Sequence, residues 1–226
     1  MLFPKISYTR AFSALPAIAL LAIGSVNATT LTLEFDHSFG SVAASGPTPW
    51  LTAVFDDGGS PGTVTLSLQV ACTLGDADIT ELYFNLDPLL SPGALLITHT
   101  GGTGPAAKDI DIYTGVNAYQ ADGDGLYDIY IDLPPPPGNQ AKRFEAGETL
   151  EFSISGIATL TALDFDFLSA PAGGAGPFTA AARVQQTGLD GEGSDWIAPN
   201  PVPVPAAAWL FGSALGLVGW MRRKIR

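Results

Sequence analysis

Apolar residues in the middle of this chain recur at every second position, not at every third or fourth. Thr30-Leu31-Thr32-Leu33-Glu34-Phe35-Asp36, Thr63-Val64-Thr65-Leu66-Ser67-Leu68-Gln69-Val70 and Thr149-Leu150-Glu151-Phe152-Ser153-Ile154 each put one apolar face against a partner and leave Thr, Ser or an acid in water. Shorter runs of this kind occur at Leu51–Phe55, Ile79–Leu86, Leu95–Thr98, Ile110–Tyr113, Val116–Ala121, Leu126–Leu133, Ile157–Leu168 and Phe178–Gln185. Gly and Pro clusters divide them, among them Asp57-Gly58-Gly59-Ser60-Pro61-Gly62, Gly101-Gly102-Thr103-Gly104-Pro105 and Pro134-Pro135-Pro136-Pro137-Gly138. About ten short strands without a long helical pattern predict an all-β body, a two-sheet, jelly-roll-like β-sandwich. No fixed period repeats, which argues against a propeller or solenoid. The Pro run reads as a loop inside one domain, and Trp196-Ile197 as a last short strand or a tether.

Charge narrows the functions open to such a body. The 226 residues carry 22 Asp plus Glu against 10 Lys plus Arg, a net charge of −12. Nucleic acid is excluded as a partner, because its binding needs basic side chains to neutralise phosphates. The single Cys72 forms no intramolecular disulfide, and with His37 and His99 it cannot fill a four-ligand zinc site from Cys and His side chains alone. All the acidic residues lie between Glu34 and Asp195, whereas Lys5, Arg10, Arg222, Arg223, Lys224 and Arg226 sit at the ends. The ends are a different kind of sequence.

Residues 1–28 combine a basic start, an apolar run from Ala11 to Gly24 and small residues at Val26 and Ala28. This pattern predicts a secretory signal peptide cleaved after Ala28, which implies the secretion translocon as a partner. The Asn27-Ala28-Thr29 triplet straddles that cleavage point and carries no weight as a glycosylation acceptor. Residues 29–200 form the acidic domain. Residues 201–226 contain alternating prolines, an apolar stretch suited to a transmembrane helix over 204–221 with Trp209 and Trp220 near its ends, and a basic tail. The tail should stay cytoplasmic and the body face away from it, so the precursor is expected in a membrane. Gly212, Gly216 and Gly219 supply a small-residue face for packing on another membrane helix.

This C-terminal segment resembles the PEP-CTERM sorting signals of Gram-negative bacteria, in particular the VPLPA-CTERM variant. The matching residues are Val202, Pro203, Val204, Pro205 and Ala206, followed by the apolar stretch and Arg222-Arg223. The resemblance implies recognition by an exosortase, a membrane transpeptidase thought to cut near the Pro motif, and delivery of the body to the cell surface or beyond. Val204 departs from the Leu of the main variant. Tyr83-Phe84-Asn85-Leu86-Asp87, Asp122 to Ile129, and Gly176-Pro177-Phe178 through Arg183-Val184-Gln185 to Trp196-Ile197 are similar to segments of a group of PEP-CTERM proteins with no activity to lend.

Within the body, Asp122-x-Asp124-Gly125-x-x-Asp128 places alternate carboxylates around a glycine, the kind of donor set a structural Ca²⁺ prefers. Gln120 and Ile131 occupy the first and twelfth positions of an EF-hand alignment, so an EF-hand proper is rejected and a looser calcium loop remains. An Asp-Gly β-hairpin turn accounts for the same residues, and the two readings are compatible. Alternation places Asp128 with Asp132, and Asp109 with Asp111, on shared strand faces, where a divalent ion would relieve their repulsion.

Catalysis is not expected. Pairs such as Asp56 with Asp57 or Asp164 with Asp166 suit solvated strand and turn positions, and His37 and His99 accompany no nucleophile motif. Cys72 reads as a small buried residue. Gly101–Gly104 precedes no helix pattern, so it is not expected to cradle phosphate. Trp50, Tyr83, Tyr113, Tyr119, Tyr127, Tyr130 and Trp196 could form platforms for sugar rings. The reading is therefore an exported surface or extracellular-matrix protein with a structural or adhesive role. The alternatives are a carbohydrate-binding module acting on surface polysaccharide and a secreted glycan-active enzyme.

Overall fold

A computed structural model of the chain describes residues 28–122, 125–133, 143–188 and 190–200. The leader to Asn27, Asp124, the Pro run and the sorting signal with Val202, Pro203, Val204, Pro205, Arg222 and Arg223 lie outside the described residues.

The described chain forms β1 (Thr30–Ser38), β2 (Leu51–Asp56), β3 (Val64–Val70), β4 (Asp78–Phe84), β5 (Leu96–Gly102) and β6 (Asp111–Ala121). It continues with β7 (Gly125–Asp132), β8 (Phe144–Glu145), β9 (Thr149–Ser155), β10 (Ala180–Thr187) and β11 (Gly193–Pro199). All pairings are antiparallel, in the order β5-β9-β3-β2-β1-β11-β10-β4-β7-β6, with β8 on β4. The all-β expectation holds. The two layers, however, are halves of one hydrogen-bonded sheet, joined where β1 pairs with β11 at Phe35↔Pro199, His37↔Ala198 and Ser38↔Ile197.

The sheet rolls because both halves bury alternate residues in the same core. Leu33, Phe35, Leu51, Phe55, Leu66, Leu68, Phe152 and Ile154 come from one half, and Ile79, Leu82, Phe84, Ile129, Ile131, Val184 and Ile197 from the other. Phe55 stacks on Phe165 at 4.4 Å and meets Phe84 edge-on at 5.4 Å, which ties the halves together through ring contacts. The terminal strands β5 and β6 approach one another around a cavity of about 230 Å³ lined by Leu95, Leu96, Ile97, Thr98, Ile112 and Thr114. The roll is nearly a closed barrel.

Three local expectations change. Ile110–Tyr113 and Val116–Ala121 fall almost wholly in one long strand, interrupted by a bulge between Thr114 and Tyr119. Ile157–Leu168 contains no strand; a capping box between Thr161 and Asp164 turns it into a short 3-10 helix over Ala162–Phe165. Cys72, expected inside, is exposed in a 3-10 turn at Cys72–Leu74.

Candidate functional site

The outer face of the β6-β7-β4-β10-β11 layer carries a second aromatic assembly. Ile112, Ile131, Leu82 and Ala182 point into the main core, so their neighbours in sequence point outward. Strand register then aligns Tyr113, Tyr130, Tyr83 and Ala181 in one row across four strands. Two residues along, Asp111, Asp132, Glu81, Arg183 and Trp196 align in a parallel row across five.

The tyrosines stand on the sheet as a stack. Tyr83 and Tyr130 have centroids 4.9 Å apart and planes within 15°, and Tyr130 and Tyr113 are 5.7 Å apart and within 18°. Near-parallel rings about one strand spacing apart must face one another, which hides the inner ring faces and leaves edges and hydroxyls at the surface. Tyr83 is accordingly 5% exposed. On the terminal strand β6 no ring follows in the row, and Tyr113 is 46% exposed. Tyr119 flanks this end, 6.4 Å from Tyr113 and tilted by 44°. At the other end Ala181 has no side chain beyond Cβ, and Trp196 reaches across β10 to lie 5.8 Å from Tyr83.

Charges beside the stack are arranged unevenly. Glu81 accepts hydrogen bonds from Arg183 Nη1 at 2.8 Å and from the Tyr83 hydroxyl at 2.6 Å. The Arg183 guanidinium lies 5.9 Å from the Trp196 ring centre, close enough for a cation–π contact. Asp132 faces Asp111 on one side and Glu81 on the other, and like charges directly opposite repel. Burial pushes the Asp132 carboxyl up from its ordinary value, and Glu81 and Asp111 push it further, although a hydrogen bond with Tyr130 opposes them. Burial also raises the phenols of Tyr83 and Tyr130, with Glu81 adding to both, so these hydroxyls remain protonated donors at neutral pH.

This face offers the accessible ring surface of Tyr113 and acceptor carboxylates in a fixed register, with the Tyr83 and Tyr130 hydroxyls already donating to Glu81 and Asp132. Such a combination suits a ligand with apolar C–H faces and equatorial hydroxyls. The face is open, with Asp111 exposed and Asp132 and Glu81 half-buried, so it presents no cleft that would exclude water.

The other expected sites are dispersed. Asp122 is exposed at φ 42°, a left-handed conformation that Asp tolerates, at the tip of the β6–β7 hairpin closed by Ala121↔Gly125. Asp128 is 8% exposed; its Oδ2 accepts from Leu86 N at 3.0 Å and its Oδ1 from Asn117 N at 2.8 Å. Its partners thus differ from those of Asp132, because the alternation breaks between Tyr127, which packs with Tyr83, and Ile129, which packs in the main core. Gly125 is required by packing, since a Cβ there would collide with Ser169 Oγ. Among the described residues no group of three or more His, Cys, Asp and Glu is arranged to hold a metal ion.

His37 lies 5.6 Å from the Phe178 ring and His99 meets Phe152 edge-on at 5.4 Å. Trp50 is buried, its indole Nε1 donating to the Ser45 and Gly46 carbonyls, which removes it from the surface platforms. The sequence marks Asp132 as a partner of Asp128, not of Glu81 and Asp111, and gives no site signal for Arg183 or Glu81 beyond alternation with Ala182 and Leu82; finding the row requires knowing which strands pair.

No family model matches the chain, and no curated relative matches it. Among solved structures, it is similar to biomass-sensing modules of Rsgi-like proteins of Clostridium thermocellum, which resemble a family 3 carbohydrate-binding module, at 11% identity and a TM-score of 0.31. That match covers 77% of this chain and 99% of the other. It is also similar to a family 3b carbohydrate-binding module from a scaffoldin of Bacteroides cellulosolvens, at 12% identity and a TM-score of 0.31, over 80% of this chain and 99% of the other. Superpositions this loose transfer no residue role.

Proposed function

We propose that the body is a non-catalytic glycan-binding module of an exported surface protein. The observation that carries this is the free end of the tyrosine stack. Tyr113 presents an open ring on a terminal strand, backed by Tyr130 and Tyr83 and bordered by Asp111 and Asp132. A pyranose laid on Tyr113 would place its C–H face on the ring and its hydroxyls within reach of carboxylate acceptors, while the buried partners hold the ring upright at little entropic cost. Delivery to the surface is supported by the leader pattern ending at Ala28 and by the sorting-signal resemblance, with the exosortase, the translocon and transiently the inner membrane as partners and extracellular polysaccharide as the ligand.

Isothermal titration of the protein with soluble polysaccharides, and with a glycan array to choose them, tests the binding. Tyr113→Ala is expected to weaken binding at least about tenfold, and loss of its stacking on Tyr130, about 0.5–1.5 kcal/mol, should lower the melting temperature by only about 1–6 °C, so the variant stays folded in the assay. Equal affinity of the variant, or no glycan bound by the parent, refutes the reading. Release of reducing ends by the parent but not by Asp132→Asn would instead favour the enzyme.

A further inference from the structure

The first described residues are held by a buried carboxylate. Thr29 N donates to Asp57 Oδ1 at 2.8 Å, and Asp57 N returns a bond to the Thr29 carbonyl at 3.2 Å. This exchange continues the β1–β2 ladder one position beyond its last pair, Thr30↔Asp56. Gly59 N also donates to Asp57 Oδ1, at 2.9 Å. Asp57 is only 8% exposed, and no Lys or Arg among the described residues pairs with it. The backbone N–H groups of Thr29 and Gly59 chiefly hold its carboxyl below the ordinary value, with the Thr29 side chain adding to them, so the charge there is stabilised by neutral donors. Ala28, immediately before, is exposed.

We infer that Asp57 is the receptor for the amino terminus created when the chain is cut between Ala28 and Thr29, so that processing locks the edge of β1 to β2. This rests on the leader reading proposed above. A signal peptidase adds water across the Ala28–Thr29 amide: the Ala28 carbonyl leaves with the leader as a carboxylate, and the Thr29 nitrogen takes up protons to become an ammonium. The nitrogen that donated one neutral N–H to Asp57 then brings three donors and a positive charge to the same carboxylate. The uncleaved bond is already assisted by the charge on the carboxylate; cleavage adds the attraction between an ammonium and that carboxylate at hydrogen-bond distance. The uncleaved chain has the contact without the cation.

The test compares chains that all run to Arg226 and contain every described strand, since β1 begins at Thr30. One starts at Thr29 with a free amine, one is acetylated on Thr29, and one retains Asn27 and Ala28. In detergent at pH 6 the free-amine chain should melt about 3–6 °C above the other two, and Asp57→Asn should abolish the gap. Should Asp57→Asn fail to fold, the rate of α-amine acylation decides. It should be at least about fivefold slower in the folded free-amine chain than in urea, reflecting the carboxylate's hold on the proton. Coincident melting of the three chains, a gap that survives Asp57→Asn, or equal acylation rates overturn the role of Asp57. An exported protein that by mass spectrometry begins at a residue other than Thr29 overturns the leader reading instead, so the two failures are separable.

Discussion

Removing the Arg143 guanidinium should expose how the acidic body tolerates a carboxylate in its interior. Asp78 opens β4 with no solvent exposure, and Arg143, its side chain 18% exposed, donates to it from Nη1 at 2.8 Å, with Gln186 Nε2 as a further donor. Arg143→Ala leaves the carboxylate buried without its cation, which costs about 3–5 kcal/mol when a buried pair is broken from one side. The partial exposure of Arg143 admits water near the pair and puts the expectation at the lower end, about 3 kcal/mol, or roughly 6–12 °C of melting temperature in a domain of this size. Asp78→Asn should cost less, about 1–2 kcal/mol, because the guanidinium can turn toward water and the amide oxygen still accepts. The double variant should be more stable than the sum of the single losses predicts, by about 2 kcal/mol. Urea titrations followed by tryptophan fluorescence supply the four free energies. A loss below about 1 kcal/mol for Arg143→Ala, or additivity within about 0.5 kcal/mol, refutes the reasoning.

Other positions give independent checks. Asp132→Asn should raise stability at pH 7, because the folded state pushes this carboxyl up and so disfavours its charge. The gain should shrink as pH falls and vanish below the unfolded value of 3.8, which thermal melts across pH 3–8 would reveal. Asp195 is fully buried and accepts from Ser38 Oγ, Gly40 N and Ala44 N, so Asp195→Ala should cost about 1–3 kcal/mol and speed limited proteolysis between residues 39 and 48. Gly102→Ala should destabilise by about 1–3 kcal/mol in urea titration, since φ is 123° and a Cβ would press on the Thr149 carbonyl.

Strand positions were legible because half-burial writes itself as alternation, and β1, β2, β3 and β9 follow the expected runs closely. β8 was missed because two residues, Phe144 and Glu145, are too short to alternate. The order of strands was illegible, since Thr30–Asp36 shows one buried face and nothing about whether β2 or β11 lies beside it. The tyrosine row shared this fate: Tyr83, Tyr113 and Tyr130 were visible as aromatics, but only register made them a stack. Strict alternation puts Asp128 and Asp132 on one face, because the break beside Tyr127 has no signature in residue type. Asp57 suits a solvated turn by residue type, yet it is buried and accepts from the backbone. Acid identity alone does not distinguish a carboxylate in water from one answering main-chain amides.

The β1–β11 seam bears on timing. Ser38 pairs with Ile197, so the first strand of the body waits for the last. A chain that passes amino-terminus first through a secretion pore exposes β1 early, but the seam cannot close until Pro199 has emerged, and such long-range pairing forms slowly. Until then the β3-β2-β1 hairpins present an unpaired margin, open to chaperones and still threadable. For a body exported as proposed, completion of the fold would then follow passage of the whole domain.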